Sequence, residues 1–429
     1  MEAIALTLYS WLMWLAQPFL RRKLKKRGRK EPGYLNGIGE RFGHYTQPAE
    51  TSRELIWLHA VSLGETRAAA VVVKALRARH PGLRILLTNG TATGRAEGAA
   101  LLRLGDIQVW QPWDNTASVT RFYDHFKPRL GLLMETEIWP NLVAGAGDRE
   151  MPIALVNARL SEKSLQQALG MSPLSLPAYS GLSAVYAQTD TDAARLRQLG
   201  APVEGVFGNL KFDASPDESQ LAAGRAWRQH LQRPVLMFAS SREGEEDEFF
   251  RRVKALSRDK TDAPFHVLVV PRHPQRFDEV ATLAAGHGFQ VSRRSAWTPG
   301  GPPPDAQADI WLGDSLGEMA LYYAMSDAAL LGGSFAELGG QNLIEAAACG
   351  CPVIMGPHTF NFAEAAELAE NAGAARRVAG LDEAVWAAVE LLGDPSAQAQ
   401  AAMAASAHEF AAANRGATAR TVAALDAWL

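Results

Sequence analysis

The chain has 429 residues, 47% of them hydrophobic and 21% charged, with a formal net charge of -3. That composition excludes a disordered or collagenous chain, and the length exceeds one ordinary core and suits two domains of roughly 200 residues each. Charge is unevenly spread: eight of the ten residues in 21–30, RRKLKKRGRK, are Lys or Arg, so a basic collar precedes a net acidic body.

Ahead of the collar, residues 4–20, IALTLYSWLMWLAQPFL, carry no formal charge. Seventeen residues are at the short limit for a hydrocarbon layer of ~30 Å. The cations follow the apolar run and no small-residue cleavage site is evident, which argues against a secretory signal peptide. Residues 1–30 are read as a membrane anchor with its collar, the positive charges holding the body on the cytoplasmic side. Gln17 and Pro18 leave open a helix lying in the interface instead of spanning the bilayer.

Beyond residue 50, short Val-, Ile- and Leu-rich runs alternate with helical stretches such as 66–79, the pattern of parallel sheets covered on both faces. The expected strands of the first lobe are 55–61, 84–88, 107–110, 130–134, 153–157, 184–187 and 203–208. A polar stretch at 213–220 breaks the rhythm and divides a first domain, 31–212, from a second, 213–429. Strands then resume at 235–239, 266–270, 289–292, 310–313, 328–331 and 353–355. Residues 298–304, TPGGPPP, read as a surface loop. The alanine-rich tail from residue 382 is helical, packing along one lobe or returning to the other. Cys349 and Cys351 are too close for an ordinary bridge and too few for a zinc site, and read as reduced core residues.

Two wound sheets facing a cleft bind ligands at the carboxyl ends of their strands, and five motifs sit there. In LHAVSLGET (58–66) Glu65 falls in the first turn of a helix; it is a general base or a carboxylate complementing the helix dipole. In LLMETEIWPN (132–141) an apolar strand runs into Glu135 and Glu137, which orient an acceptor, hold a neighbouring cation, or lie in a solvated loop. In VFGNLKFD (206–213) Lys211 is suited to neutralise charge on a departing phosphate. In VVPRHPQRF (269–277) Arg272 follows a buried strand, where a guanidinium can fork onto phosphate oxygens; His273 is a ligand or base or, as a lone histidine more often is, structural. In LGGSFAELGGQNLIEAAACGCP (331–352) two glycine pairs lead into a helix beginning near Gln341, an arrangement for a phosphate, with Glu345 one turn on to accept from ribose hydroxyls. No cluster has metal-ligand spacing and there is no Asp-x-Asp triplet, so no metal or other cofactor is expected.

Together HAVSLGE, METEIWPN, NARLS (157–161), SREGEE (241–246), VPRHPQRF, the glycine-rich segment and GPHTFNF (356–362) resemble, in order, the 3-deoxy-D-manno-octulosonic acid (Kdo) transferases of lipopolysaccharide synthesis. The resemblance implies an α/β GT-B glycosyltransferase of two Rossmann-like doubly wound domains with an N-terminal membrane-anchor helix. It implies inverting, metal-independent transfer of Kdo from CMP-Kdo to a lipid A precursor (lipid IVA) at the cytoplasmic face of the bacterial inner membrane, among anionic lipids and without a nucleic-acid partner. Its base maps onto Glu65 and its transition-state stabilisers onto Glu135 and Lys211. Its CMP-sugar contacts map onto Pro271 and Arg272, onto Leu316, Gly317 and Glu318, and onto Asn342, Leu343, Ile344 and Glu345. Arg242 and Gln341 stand where many relatives have His. The alternatives are a nucleotide-sugar epimerase or hydrolase on the same kind of fold, which has little use for an anchor, and a non-catalytic nucleotide-sugar sensor.

Overall fold

The structure is a computed structural model that describes residues 2–29, 31–51, 53–258, 265–297, 308–393 and 396–429. The TPGGPPP stretch, read above as a loop, lies outside them. Residues 4–20, read as one continuous anchor, are instead divided between α1 (Glu2–Leu15) and α2 (Gln17–Gly28), which meet at a bend of 49°. Pro18, in the first turn of α2, has no N–H to continue the ladder of α1. Among the described residues no single helix is long and apolar enough to cross a membrane, although the bent pair is, by length and composition. On one face of α1 the Ser10 hydroxyl donates to Asn141 Oδ1 at 2.7 Å. The other face leaves Ile4, Leu8, Trp11, Leu12 and Leu15 more than half exposed, a spacing that puts them on one helical stripe.

The chain divides into two compact units, Met1–Asp213 with Arg415–Leu429, and Ala214–Asn414. In the first, seven strands form a parallel sheet: β1 (Leu55–His59), β2 (Arg84–Asn89), β3 (Ile107–Trp110), β4 (Leu130–Met134), β5 (Ile153–Ala158), β6 (Ala184–Ala187) and β7 (Val203–Val206), in the order β3-β2-β1-β4-β5-β6-β7. Most of these strands are buried on both faces, which is why they read as unbroken apolar runs. One face packs around Trp57, Phe122 and Leu155, the other around Leu58, Val72 and Leu132. The helix Ala417–Leu425 joins the second of these cores through Val422 and Leu425, and the Asp213 carboxylate accepts the N–H groups of Gly416 and Thr418 at its start.

The second unit repeats the architecture with β8 (Val235–Ser241), β9 (His266–Pro271), β10 (Val291–Arg293), β11 (Ile310–Leu312), β12 (Ala328–Leu331), β13 (Val353–Met355) and β14 (Ala375–Arg377), parallel and ordered β10-β11-β9-β8-β12-β13-β14. The strand expected at 289–292 begins at Val291, and β14 had no counterpart in the sequence reading. Cys349 and Cys351 are free and buried. The strand order reverses between β1 and β4 in the first sheet and between β8 and β12 in the second, where β11 is also inserted between β9 and β10. Loops leaving the carboxyl ends on either side of such a switch point diverge and leave room for a ligand.

Candidate active site

The switch point of the first unit carries the acidic motifs. After β1 the chain turns at Ser62, the N-cap of α3 (Leu63–Arg79). Ser62 and Glu65 stand three residues apart and form a capping box. The Ser62 hydroxyl donates to Glu65 Oε1 at 2.8 Å, the Val61 N–H donates to Oε2 at 2.8 Å, and the Glu65 N–H is directed to Ser62 Oγ at 3.4 Å. Glu65 therefore does cap its helix, and its carboxylate also lies at the strand end. Burial raises its pKa above the ordinary carboxylate value, the Ser62 and Val61 hydrogen bonds oppose this, and the negative charge of Glu135 adds to it. A carboxylate whose proton affinity is raised yet held in one rotamer has the properties of a general base.

Glu135 follows β4 directly, with a left-handed φ of 57°. For a residue with a side chain this costs energy, here offset by pairing. Arg159 Nε lies 2.8 Å from one oxygen of Glu135 and Lys211 Nζ 3.4 Å from the other. The structure thus brings Glu135 and Lys211 together. Arg159, in the NARLS segment, belongs to the same group and was not singled out from sequence. Asn157, also left-handed at 56°, accepts the Leu210 N–H on Oδ1 at 2.9 Å and so seats the 3₁₀ turn Leu210–Asp213 that carries Lys211.

Glu137, two residues on, accepts from Trp139 Nε1 at 3.0 Å. Burial, with the neighbouring Glu65 and Glu135 carboxylates, pushes its pKa to about 7. A carboxyl whose folded value exceeds its ordinary value of about 4.5 binds its proton more tightly when folded, so its contribution is most favourable at low pH and is lost as pH rises through 7. Glu137→Gln is therefore expected to unfold at higher temperature than wild type at pH 8, by up to about 3 kcal/mol at 1.36 kcal/mol per unit. At pH 5 the gain shrinks below about 1 kcal/mol; thermal melts at the two pH values check it.

The second unit places basic and glycine-rich segments at its own switch point. Ser240, at φ 54°, bulges the end of β8, and the SREGEE segment follows. Glu245 accepts from the N–H groups of Gly333 (2.8 Å), Arg242 (2.9 Å) and Phe335 (3.2 Å), which ties the glycine-rich loop after β12 to the end of β8. Gly332 packs so closely on the Ser240 carbonyl that a Cβ has no room. Glu246, fully buried, is paired with Arg276 at 2.7 Å and accepts from Ser241 Oγ at 2.9 Å. These glutamates, both in SREGEE, are structural.

Arg272 follows Pro271, the last residue of β9. Its Nε donates to Gln341 Oε1 at 3.1 Å, so Gln341, at a departure from the family pattern, orients the guanidinium. Asn342 is the N-cap of the short helix Leu343–Ala348 and accepts the Ile344 N–H at 3.2 Å. The helix begins two residues later than the sequence suggested. Leu343 and Ile344 are buried at 1% and 2% exposure, so their side chains belong to the core and only their backbone could meet a ligand. Glu345 lies in the same first turn. Leu316, Gly317 and Glu318 follow β11, the neighbour of β9. Leu316 is 74% exposed, the Gly317 carbonyl accepts from Gln220 Nε2 at 2.8 Å, and Glu318 from Arg294 Nη2 at 2.7 Å. His273 is lowered by burial and by the adjacent Arg242 and Arg272 cations. Among the described residues no group of three or more His, Cys, Asp or Glu side chains is placed to hold a metal ion.

Two parallel, doubly wound units, each with charged side chains at its switch point, define a protein of GT-B-like fold. The fold is shared with a glycosyltransferase from Rickettsia africae ESF-5 (TM-score 0.55, 13% identity, 88% of this chain and 98% of that one). It is shared equally with a UDP-GlcNAc 2-epimerase from Neisseria meningitidis bound to UDP-GlcNAc (TM-score 0.56, 15% identity, 87% and 100%), so the fold alone does not choose a reaction. Sequence does. A profile described as 3-deoxy-D-manno-octulosonic-acid transferase (kdotransferase) matches residues 36–214. The 3-deoxy-D-manno-octulosonic acid transferase of Bordetella pertussis is 49% identical over 380 residues, 87% of this chain and 87% of that protein. The chain belongs to the Kdo transferase family, and its activity is the glycosyl transfer of Kdo.

Proposed function

We propose that the chain transfers Kdo from CMP-Kdo to a lipid A precursor in lipopolysaccharide synthesis, by single displacement with inversion and without a metal. The observation that carries this reading is the group Glu65, Glu135 and Lys211 at the β1/β4 switch point, where a fixed carboxylate of raised proton affinity stands near a paired cation. Glu65 takes the proton from an acceptor sugar hydroxyl as that oxygen attacks the anomeric carbon of Kdo. The bond from that carbon to the CMP phosphate breaks, and negative charge grows on the phosphate. Lys211, Arg272 and the backbone N–H groups around Asn342 are the cationic and dipolar donors that stabilise it. Pro271, Leu316, Gly317, Glu318 and Glu345 are assigned to the nucleotide sugar.

Mass spectrometry of products from CMP-Kdo, with and without a purified lipid A precursor and in the presence of a chelator, tests the reading. A Kdo-lipid adduct formed only with acceptor is expected. Kdo release or isomerisation without acceptor would favour the hydrolase or epimerase alternative, and a chelator-sensitive rate would reject metal independence.

The N-terminal helices are assigned to an anionic membrane surface on the cytoplasmic side of the inner membrane. The exposed stripe of α1 supports this together with the cations of residues 21–29, each worth about 1 kcal/mol near such a surface. Replacing Leu8, Trp11 and Leu12 together by Ser is expected to weaken binding to phosphatidylglycerol-containing vesicles by more than about tenfold, since each buried side chain contributes roughly 1.5–3 kcal/mol. These side chains are exposed, so soluble stability should be retained. Sedimentation with vesicles and a melt of the free protein read the two effects.

A further inference from the structure

Three carboxylates converge at the β1/β4 switch point, and the proposed reaction requires only Glu65 to accept a proton. Glu65, Glu135 and Glu137 interact electrostatically. Of the three, Glu135 is compensated by Arg159 and Lys211, and Glu65 by the Val61 N–H and the Ser62 hydroxyl. Glu137 has the Trp139 indole N–H and faces His59, the last residue of β1. His59 Nε2 lies 4.0 Å from Glu137 Oε2.

His59 is completely buried and its Nε2 has no hydrogen-bond partner among the described residues. Its Nδ1 lies 2.8 Å from Thr88 Oγ1 and 3.2 Å from the Thr88 carbonyl oxygen. The Thr88 hydroxyl, which accepts from Trp57 Nε1 at 2.8 Å, can accept from Nδ1 or donate to it; the Thr88 carbonyl only accepts, and an unprotonated Nδ1 would set its lone pair against it, so the carbonyl decides for a proton on Nδ1. Nε2 then presents a lone pair toward Glu137. Burial chiefly, and the Arg41 cation, lower the His59 pKa to about 4, so the ring is neutral and offers Glu137 no positive charge. An ionised Glu137 would meet that lone pair with negative charge. A protonated Glu137 would meet it with a hydroxyl hydrogen, needing an approach of about 1 Å to complete a hydrogen bond.

We propose that Glu137 is a positioning acid of the transfer site: it keeps its proton, directed at His59 Nε2, and so leaves Glu65 as the carboxylate free to ionise and act as base. The inference rests on the proposed role of Glu65 and deepens it. Close carboxylates do not all ionise together: the proton that the pair retains below pH 7 sits on Glu137 and not on Glu65, and once Glu137 too is ionised its negative charge opposes the charge that grows on the departing phosphate. A pKa for Glu137 of about 7 sets the window in which the arrangement fails, because above pH 7 the proton is lost. The charged groups that act on Glu137 in that window are Glu65 from α3, Glu135 beyond β4 and, through Glu135, Arg159 and Lys211; Arg41 acts on His59.

The test combines a spectroscopic and a kinetic reading of the full chain. Infrared titration of the protein without substrate should show a protonated-carboxyl band that disappears between pH 6 and pH 8 and is absent from Glu137→Gln, and ¹⁵N NMR should report His59 as the neutral Nδ1–H tautomer. In wild type, kcat/KM should fall above pH 7 along an alkaline limb that Glu137→Gln, an isostere of the protonated acid, no longer shows. Glu137→Ala should lose roughly tenfold in kcat at pH 6.5, and Glu137→Gln should recover most of that loss. An absent band, an Nε2–H tautomer, or an alkaline limb identical in wild type and Glu137→Gln would each overturn the proposal. Failure of the base assignment reads separately, as undiminished turnover in Glu65→Gln, and in that event the band and the tautomer still decide where the proton is held.

Discussion

Glu65→Gln is expected to lower kcat by roughly 10²- to 10⁴-fold, the range for a general base acting in the transition state, while CMP-Kdo binding and thermal stability stay close to wild type. The choice of glutamine follows from the capping box. Glu65 accepts the Val61 N–H and meets the Ser62 hydroxyl, so an alanine would remove a helix cap worth about 1 kcal/mol together with the base, and a loss of rate would have two explanations. The glutamine oxygen still accepts from Val61 and its amide can donate to the Ser62 oxygen, so α3 keeps its start. Glutamine cannot take a proton from an attacking hydroxyl at neutral pH. The residues assigned to CMP lie in the second unit, so donor affinity by calorimetry should not follow the loss in single-turnover rate. A variant with near-wild-type turnover sinks the base assignment; one that loses donor affinity in parallel shows that the residue acts on binding.

The capping box also shows how sequence and structure divide the information about this site. Glu65 was readable as a carboxylate in the first turn of a helix, and the capping contacts that the structure adds leave the proposed base role open, because one carboxylate has two oxygens and several lone pairs. Central strands were legible almost to the residue where burial on both faces demands an apolar run, as in β4 and β12. Strand 55–61 ends early, at His59, because Val61 gives its N–H to Glu65. In the second sheet the outermost strands were shifted or missed. β10 (VSR) and β14 (ARR) have three residues each, and an edge strand with a half-solvated face has no apolar run to show.

Partnerships between distant loops were the other silent feature. Glu135 was readable as an acid at a strand end, but nothing local says that Arg159 and Lys211 approach it from two other strand ends, or that Asn157 takes a left-handed backbone to seat Lys211. Such contacts depend on strand order. Gln341 is similar. It read as a departure from a histidine pattern, and only the adjacency of the loops after β9 and β12 gives it a task, accepting from Arg272.

Lys211→Met is expected to lower kcat by roughly 10²- to 10³-fold, as loss of a preorganised donor does where charge develops in a water-poor site. Glu135 brings one negative charge and is flanked by two cations, so the intact group is net positive and able to attract a departing phosphate. Methionine keeps most of the lysine stem and its packing but leaves Glu135 balanced by Arg159 alone, a neutral pair. The fold should survive, because Arg159 Nε at 2.8 Å is the shorter of the two contacts and the turn is held through the Leu210 and Lys211 N–H groups on Asn157 and Asn209. A stability cost of about 1–3 kcal/mol is expected from the lost partner of a buried carboxylate. Arg159→Met separates the two contributions. It removes the shorter of the two contacts with Glu135 but a side chain that is half exposed, so its effect on stability should be at least that of Lys211→Met and its effect on kcat should be smaller. Equal losses of kcat in the two variants would mean that both act by holding Glu135 in place, and that Lys211 has no contact with the leaving group.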